Sequence, residues 1–209
     1  MLFLETVEPR TFAILKKLMA IEDLRNFSLV GRTNLSLIFG HRISIDLDLF
    51  CNLPFEHNKI EKKLIKTFGN KFNYEPSINP AFGIFCFIEE IKVDLIRFPH
   101  ALISNINIVE NIRMYGIPNI AAMKIQAILG RGNKKDFWDL AEIFMHYSLA
   151  QVITWHKEKF PNQMLAISIP NALTYFTEAN NTENPVCLKG KTWEMIQTEI
   201  KNAVSIYLS

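Results

Sequence analysis

The stretch "LVGRTNLSLIFGHRISIDLDLF", residues 29–50, holds a glycine turn, a short apolar run, a cationic pair and two aspartates one residue apart. Residues 43–50 alternate as a strand does. On a strand Asp46 and Asp48 project from one face, with Cα atoms roughly 6–7 Å apart. Two carboxylates held that close repel each other unless a positive charge stands between them. Ahead of them, residues 26–30 read as a buried strand ending at Gly31, and residues 33–39 as a short helix stopped by Gly40. The unpaired N–H groups at the start of that helix form an anion site just before the acids. A phosphate cradle beside one strand and acids on the next suit a nucleoside triphosphate.

An Asp-x-Asp pair alone reads more readily as the solvent face of an amphipathic strand. The Gly31 turn and the helix beginning at Thr33 change that weighing, and a third acid joins the pair. Asp94, in "IKVDLIRF" (residues 91–98), lies among β-branched and apolar residues, where an unpaired carboxylate is costly. If strands 43–50 and 92–98 are neighbours, the three acids converge on one face. Hard divalent cations favour such oxygen clusters, and Mg²⁺ binds through a few carboxylates plus substrate phosphates. Two-metal nucleotidyl transfer uses this arrangement.

A second signal lies in residues 117–140. At about 100° per residue, Lys124 falls in the stripe of Ile117, Ile120, Ala121, Ala127 and Ile128. The same count sets Asp136 on the face of Leu140, Ile143 and Tyr147. A buried Lys124–Asp136 ion pair and a contact to nucleotide phosphate are both open, and compatible. Asp139 reads as a first-turn acid, and Phe137 and Trp138 as core. His41 and Arg42 read as phosphate contacts or as turn caps. Lys59, Lys62, Lys63, Lys66 and Lys71 form a basic run, read as a solvated face or an RNA-binding patch.

The chain has 209 residues, 49% hydrophobic and 21% charged, which is room for one large domain or two small ones. A net charge of +2 gives no global argument for nucleic-acid binding, so any such contact must be local. The apolar runs are too short to span a bilayer, and no signal peptide is expected at an N-terminus without a basic segment. Three cysteines without paired spacing suit free thiols in a reducing cytoplasm. The five histidines form no His-x-x-x-His pair. Helical spacing follows Pro9 (Phe12, Leu15, Leu18, Met19) and covers 58–68; strands are expected at 72–77, 82–89 and 92–98. Helices are expected at 118–130, 135–148, 150–160, 170–179 and 191–207. This divides the chain into an α/β domain, residues 1–115, and a helical domain, residues 116–209.

Taken in order, "LVGRTNLSLIFGHRISIDLDLF", "VDLI" (93–96) and "AAMKIQAILGRGNKKDFWDL" (121–140) resemble the abortive-infection nucleotidyltransferase toxins of the AbiEii/AbiGii type, in the DNA polymerase β superfamily. The resemblance covers most of residues 10–145. It implies an α+β fold: a nucleotidyltransferase-type mixed sheet with helices, followed by a C-terminal helical domain. It further implies Asp46, Asp48 and Asp94 as catalytic and metal-binding acids. Gly31, Arg32, Thr33, Lys124 and Asp136 would bind nucleotide. Two Mg²⁺ ions with a bound NTP, an RNA acceptor (tRNA first) and a cognate antitoxin are implied as well. The chain departs from the family where Gly31-Arg32 stands for Gly-Gly or Gly-Ser, and Asn34 for a frequent Ala. Arg32 either replaces a phosphate contact with its guanidinium fork or fills the pocket. The expected function is Mg²⁺-dependent transfer of a nucleoside monophosphate from NTP to RNA. The alternative is a catalytically weak relative that binds nucleotide or a partner protein. A small-molecule acceptor of the aminoglycoside type is a third reading.

Overall fold

In a computed structural model, which describes residues 1–74 and 82–209, the chain divides into two units. The first comprises 1–40, 44–101 and 105–116; the second comprises 41–43, 102–104 and 117–209.

The first unit is built on one sheet. Pro9, at the first helical position where its missing N–H costs nothing, opens α1 (Pro9–Met19). Then follow β1 (Ser28–Leu29), α2 (Gly31–Phe39), β2 (Leu47–Cys51), α3 (His57–Phe68) and β3 (Phe72–Tyr74). The unit closes with β4 (Gly83–Ile88), β5 (Ile91–Arg97), β6 (Ile106–Val109) and β7 (Ile112–Tyr115). Among the described residues seven strands run in the order β3-β4-β5-β2-β1-β7-β6. β2 is parallel to β5 and β1 to β7, and every other pair is antiparallel, so the sheet is mixed. One face is the core: Leu47, Leu49, Ile84, Cys86, Val93, Leu95, Ile112 and Met114 are buried with Leu15 and Leu18 of α1 and Ile60 and Leu64 of α3. Period-two alternation leaves Asp48, Asp94, Lys92, Phe85 and Phe87 on the opposite face.

The strand expected over 43–50 begins only at Leu47. The residues before it spend their backbone groups elsewhere. Ile43 N donates to Val186 O and Leu188 N to His41 O, each at 2.9 Å, while Ser44 N donates to Thr6 O at 2.9 Å. Of the strand expected over 72–77, Phe72–Tyr74 is observed and the last residues lie outside the described ones. The hairpin of β6 and β7 was not anticipated. Its loop residues Glu110 and Asn111 hold φ of 51° and 65°, a two-residue turn with left-handed backbone at both central positions, as Glu89 and Glu90 do between β4 and β5.

The second unit is helical: α4 (Ile117–Gly130), α5 (Lys134–Phe144), α6 (Leu149–Lys159), α7 (Ile169–Thr174), α8 (Thr177–Asn180) and α9 (Trp193–Leu208). α4 packs on α5, α6 and α7, and α9 closes over α5, α6 and α7. The helix expected to run to 148 stops at Phe144, because Ser148 instead caps α6 in a reciprocal capping box with Gln151. Phe137 and Trp138 are core residues, as expected; Trp138 stacks on Trp193 with ring centroids 5.7 Å apart. Among the described residues no helix is long and apolar enough to cross a membrane.

Lys159 is buried inside this unit, its ammonium donating to Asn119 Oδ1 at 2.9 Å. Burial pulls its pKa down to about 8 from 10.5. Between those values the unfolded chain binds the proton more readily than the folded one, so stability rises with pH across the window. Relative to Lys159→Met, wild-type protein is expected to gain roughly 1–3 kcal/mol in urea unfolding over that range, while the buried Cys86 thiol, pushed up to about 12 by burial, acts in the opposite direction in both proteins. A pH slope left unchanged by the substitution would contradict this account.

Candidate active site

Within the first unit the glycine turn closes on the acids. Gly31 holds φ of +67°, and a Cβ there would come 2.8 Å from Asp48 Oδ2. Glycine is therefore required twice over, by backbone conformation and by space. Val30 N donates to Asp48 O at 2.9 Å, which ties β1 to β2 at this point. Thr33, in the first turn of α2, donates its hydroxyl to the Asp46 carbonyl and lies 2.8 Å from the Ser44 hydroxyl. Asn34 is buried and braces the helix start: its amide donates to Leu29 O at 2.8 Å and to Tyr115 O at 3.1 Å. This side chain joins α2 to β1 and to the end of β7.

The parallel pair β2 and β5 sets Asp48 directly beside Asp94 in register. Asp46 lies one residue before β2. Two cations stand on these carboxylates. Arg32 Nη2 is 2.8 Å from Asp46 Oδ2, and Lys92 Nζ is 2.5 Å from Asp94 Oδ2. Lys92 was missed from sequence, although its place two residues from Asp94 on one strand face is a local signal. Asp94 Oδ1 is buried without a hydrogen-bond partner among the described residues. That orphaned oxygen, the all-carboxylate donor set and the glycine cradle under Asp48 fit a hard divalent cation. Among the described residues no three metal-ligating side chains are already gathered; Asp46 is turned to Arg32 and Asp94 to Lys92.

Lys124 and Asp136 meet inside the second unit. The Lys124 ammonium lies 2.8 Å from Asp136 Oδ1 and 2.6 Å from Asp139 Oδ2, which is the ion-pair reading of that stripe. Asp139 is no solvated first-turn acid. It is fully buried, held by Arg42 through Nε at 2.7 Å and Nη2 at 2.9 Å, with His41 Nε2 at 2.8 Å. His41 and Arg42 are themselves buried against this carboxylate, which accounts for both in place of a phosphate contact or a turn cap. Burial alone would raise the Asp139 pKa, but Arg42, then Lys124 and His41, hold it well below the usual carboxylate range. Burial likewise lowers the Lys124 pKa, and Asp136 and Asp139 outweigh it, so the net shift is upward. The basic run on α3 is largely exposed, with Lys59 paired to Asp23 at 2.9 Å.

The family described as nucleotidyl transferase AbiEii toxin, of type IV toxin–antitoxin systems, matches residues 13–159. An uncharacterized protein of Aquifex aeolicus is 28% identical over 200 residues, spanning 93% of this chain and 94% of its own. Among solved structures, JHP933 from Helicobacter pylori superposes with a TM-score of 0.56 at 14% identity, over 96% of this chain and 92% of its own. MenT4, a nucleotidyltransferase toxin from Mycobacterium tuberculosis, superposes with a TM-score of 0.55 at 12% identity, over 95% and 86%. At these identities the two structures share the fold.

Proposed function

The chain belongs to the AbiEii family of nucleotidyltransferase toxins, and from that membership we propose that it transfers a nucleoside monophosphate from an NTP to RNA, tRNA first, with Mg²⁺. The observation that carries this reading is the pairing of Asp48 and Asp94 on adjacent parallel strands, with the Gly31 turn closed on the Asp48 carboxylate. Asp46, Asp48 and Asp94 would hold the cation through oxygen. Mg²⁺, as two ions once NTP is bound, supplies neutralisation of the triphosphate and a lowered pKa for the attacking hydroxyl. Gly31 and the first N–H groups of α2 let the phosphates approach the backbone closely. An RNA hydroxyl releases its proton to solvent as its oxygen bonds to the α-phosphorus, the bond from that phosphorus to the bridging β-phosphate oxygen breaks, and pyrophosphate leaves. This reading puts the protein in the cytoplasm, with NTP, tRNA and a cognate antitoxin as its partners. Incubation with each α-labelled NTP, Mg²⁺ and total tRNA should label RNA. Nucleotide binding without label in any RNA would favour the second reading.

That second reading is a weak enzyme that binds nucleotide or a partner without turnover, and the Arg32–Asp46 pair is what favours it. Each cation competes with a divalent ion for its carboxylate. Arg32 and Asp46 are about one-third exposed and Lys92 more so, so each pair is worth no more than about 1 kcal/mol, or roughly fivefold. Arg32→Ser and Lys92→Gln are therefore each expected to tighten Mn²⁺ binding by about two- to fivefold in calorimetry. Weaker Mn²⁺ binding in Arg32→Ser would show that the guanidinium helps build the site.

A further inference from the structure

The sheet face that carries the acids also carries two aromatic rings. Along β4, Ile84, Cys86 and Ile88 are buried, whereas Phe85 is 37% and Phe87 49% exposed. Register sets Phe85 beside Asp94 and Phe87 beside Lys92, and Asp94 in turn beside Asp48. At a strand spacing of about 4.8 Å, Phe85 starts one strand from Asp94 and two from Asp48. The phosphate turn lies on the other side: the order is β4, β5, β2, β1, and α2 begins directly after β1. The acids thus stand between the rings and the Gly31 turn.

A transferase needs two substrates to meet at its carboxylates. With the triphosphate entering from the α2 side, the β4 side is left for the acceptor. We propose that Phe85 and Phe87 form a stacking platform for the unpaired terminal bases of the RNA acceptor, delivering its terminal ribose to Asp94. The proposal rests on the RNA-transferase reading above. Aromatic rings beside a cation are how single-stranded nucleic acid is held without a sequence code, because every base has a π-face. Lys92, between Phe87 and Asp94 along the face, supplies that cation, and the Asn73 amide, paired in register with Phe87, can meet a base edge. Glu89, at the end of the hairpin, is neutralised by Lys71 at 2.7 Å. A base-paired strand cannot splay its bases onto such rings, so the platform selects a single-stranded end.

The test uses the full chain, a short fluorescent single-stranded RNA of mixed sequence, and total tRNA. Phe85→Ala/Phe87→Ala is expected to weaken RNA binding by about tenfold or more in fluorescence anisotropy, with NTP affinity unchanged. Because both rings are exposed, the melting temperature should hold. Should it fall, Phe85→Tyr/Phe87→Tyr decides: tyrosines stack as well, so wild-type RNA affinity is expected, and its loss would overturn the proposal. Unchanged RNA affinity in the alanine pair would overturn it too and leave the rings to a protein surface. Lost NTP affinity with RNA binding intact would overturn it in favour of the incoming base. Wild-type protein that binds neither RNA would instead defeat the RNA-transferase reading itself.

Discussion

Asp48→Asn is expected to lower nucleotidyl transfer by roughly a thousandfold or more while leaving the fold intact. The substitution keeps the side chain's size but removes the charge that a divalent cation requires. It does so at an acid that adjoins both parts of the site. Asp48 adjoins Asp94 in the parallel pair, and its Oδ2 closes against Gly31. Losing about 4 kcal/mol of charge stabilisation at the transferred phosphate corresponds to that thousandfold. The melting temperature of the metal-free protein should change little, because the amide keeps the side chain's size and shape. Transfer rate and melting temperature on one preparation check both parts. Near-normal transfer in Mg²⁺ would remove Asp48 from the metal site. A collapse in melting temperature would make it a structural acid.

The largest effect on stability is expected from Asp139→Ala in the second unit. The carboxylate holds Arg42 in a two-point contact and also takes Lys124 and His41, all within a buried cluster. Removing it leaves a guanidinium buried without its partner and takes one of two carboxylates from Lys124. Truncating one member of a buried pair costs about 3–5 kcal/mol, because the remaining charge stays desolvated. A fall of about 10 °C in melting temperature is therefore expected. Asp136→Ala should cost less, since Lys124 keeps Asp139. Equal losses in the two variants would contradict the central place given to Asp139.

The parts of this fold that could be read from sequence rest on local pattern. Pro9 followed by helical spacing gave α1, the glycine after a buried strand gave the turn, and an aspartate inside an apolar strand gave Asp94. What escaped depends on partners far along the chain. Asp139 looked like a first-turn acid because Arg42 and His41, its partners, lie 97 and 98 residues away. Its spacing of three from Asp136, on the same helix face, was the available hint. The β6–β7 hairpin escaped because its loop uses Glu110 and Asn111, without the glycine that usually marks such a turn, although "INIVENIRMY" alternates on both sides. The strand start at Leu47 was set by hydrogen bonds from residues 41–44 to distant backbone, which no periodicity reveals. The role of Asn34 rests on two carbonyl partners, Leu29 O and Tyr115 O, the second 81 residues away.

Transfer of the α-phosphate of an NTP, with its nucleoside, onto RNA can be followed by the position of the label. The most direct test gives wild-type protein, Mg²⁺ and total tRNA the same NTP labelled either at the α- or at the γ-phosphate. Label is expected in RNA from the α-labelled NTP only, with the γ-label released as pyrophosphate and all transfer lost in EDTA. Label reaching RNA from the γ-position, or transfer that persists in EDTA, would contradict it.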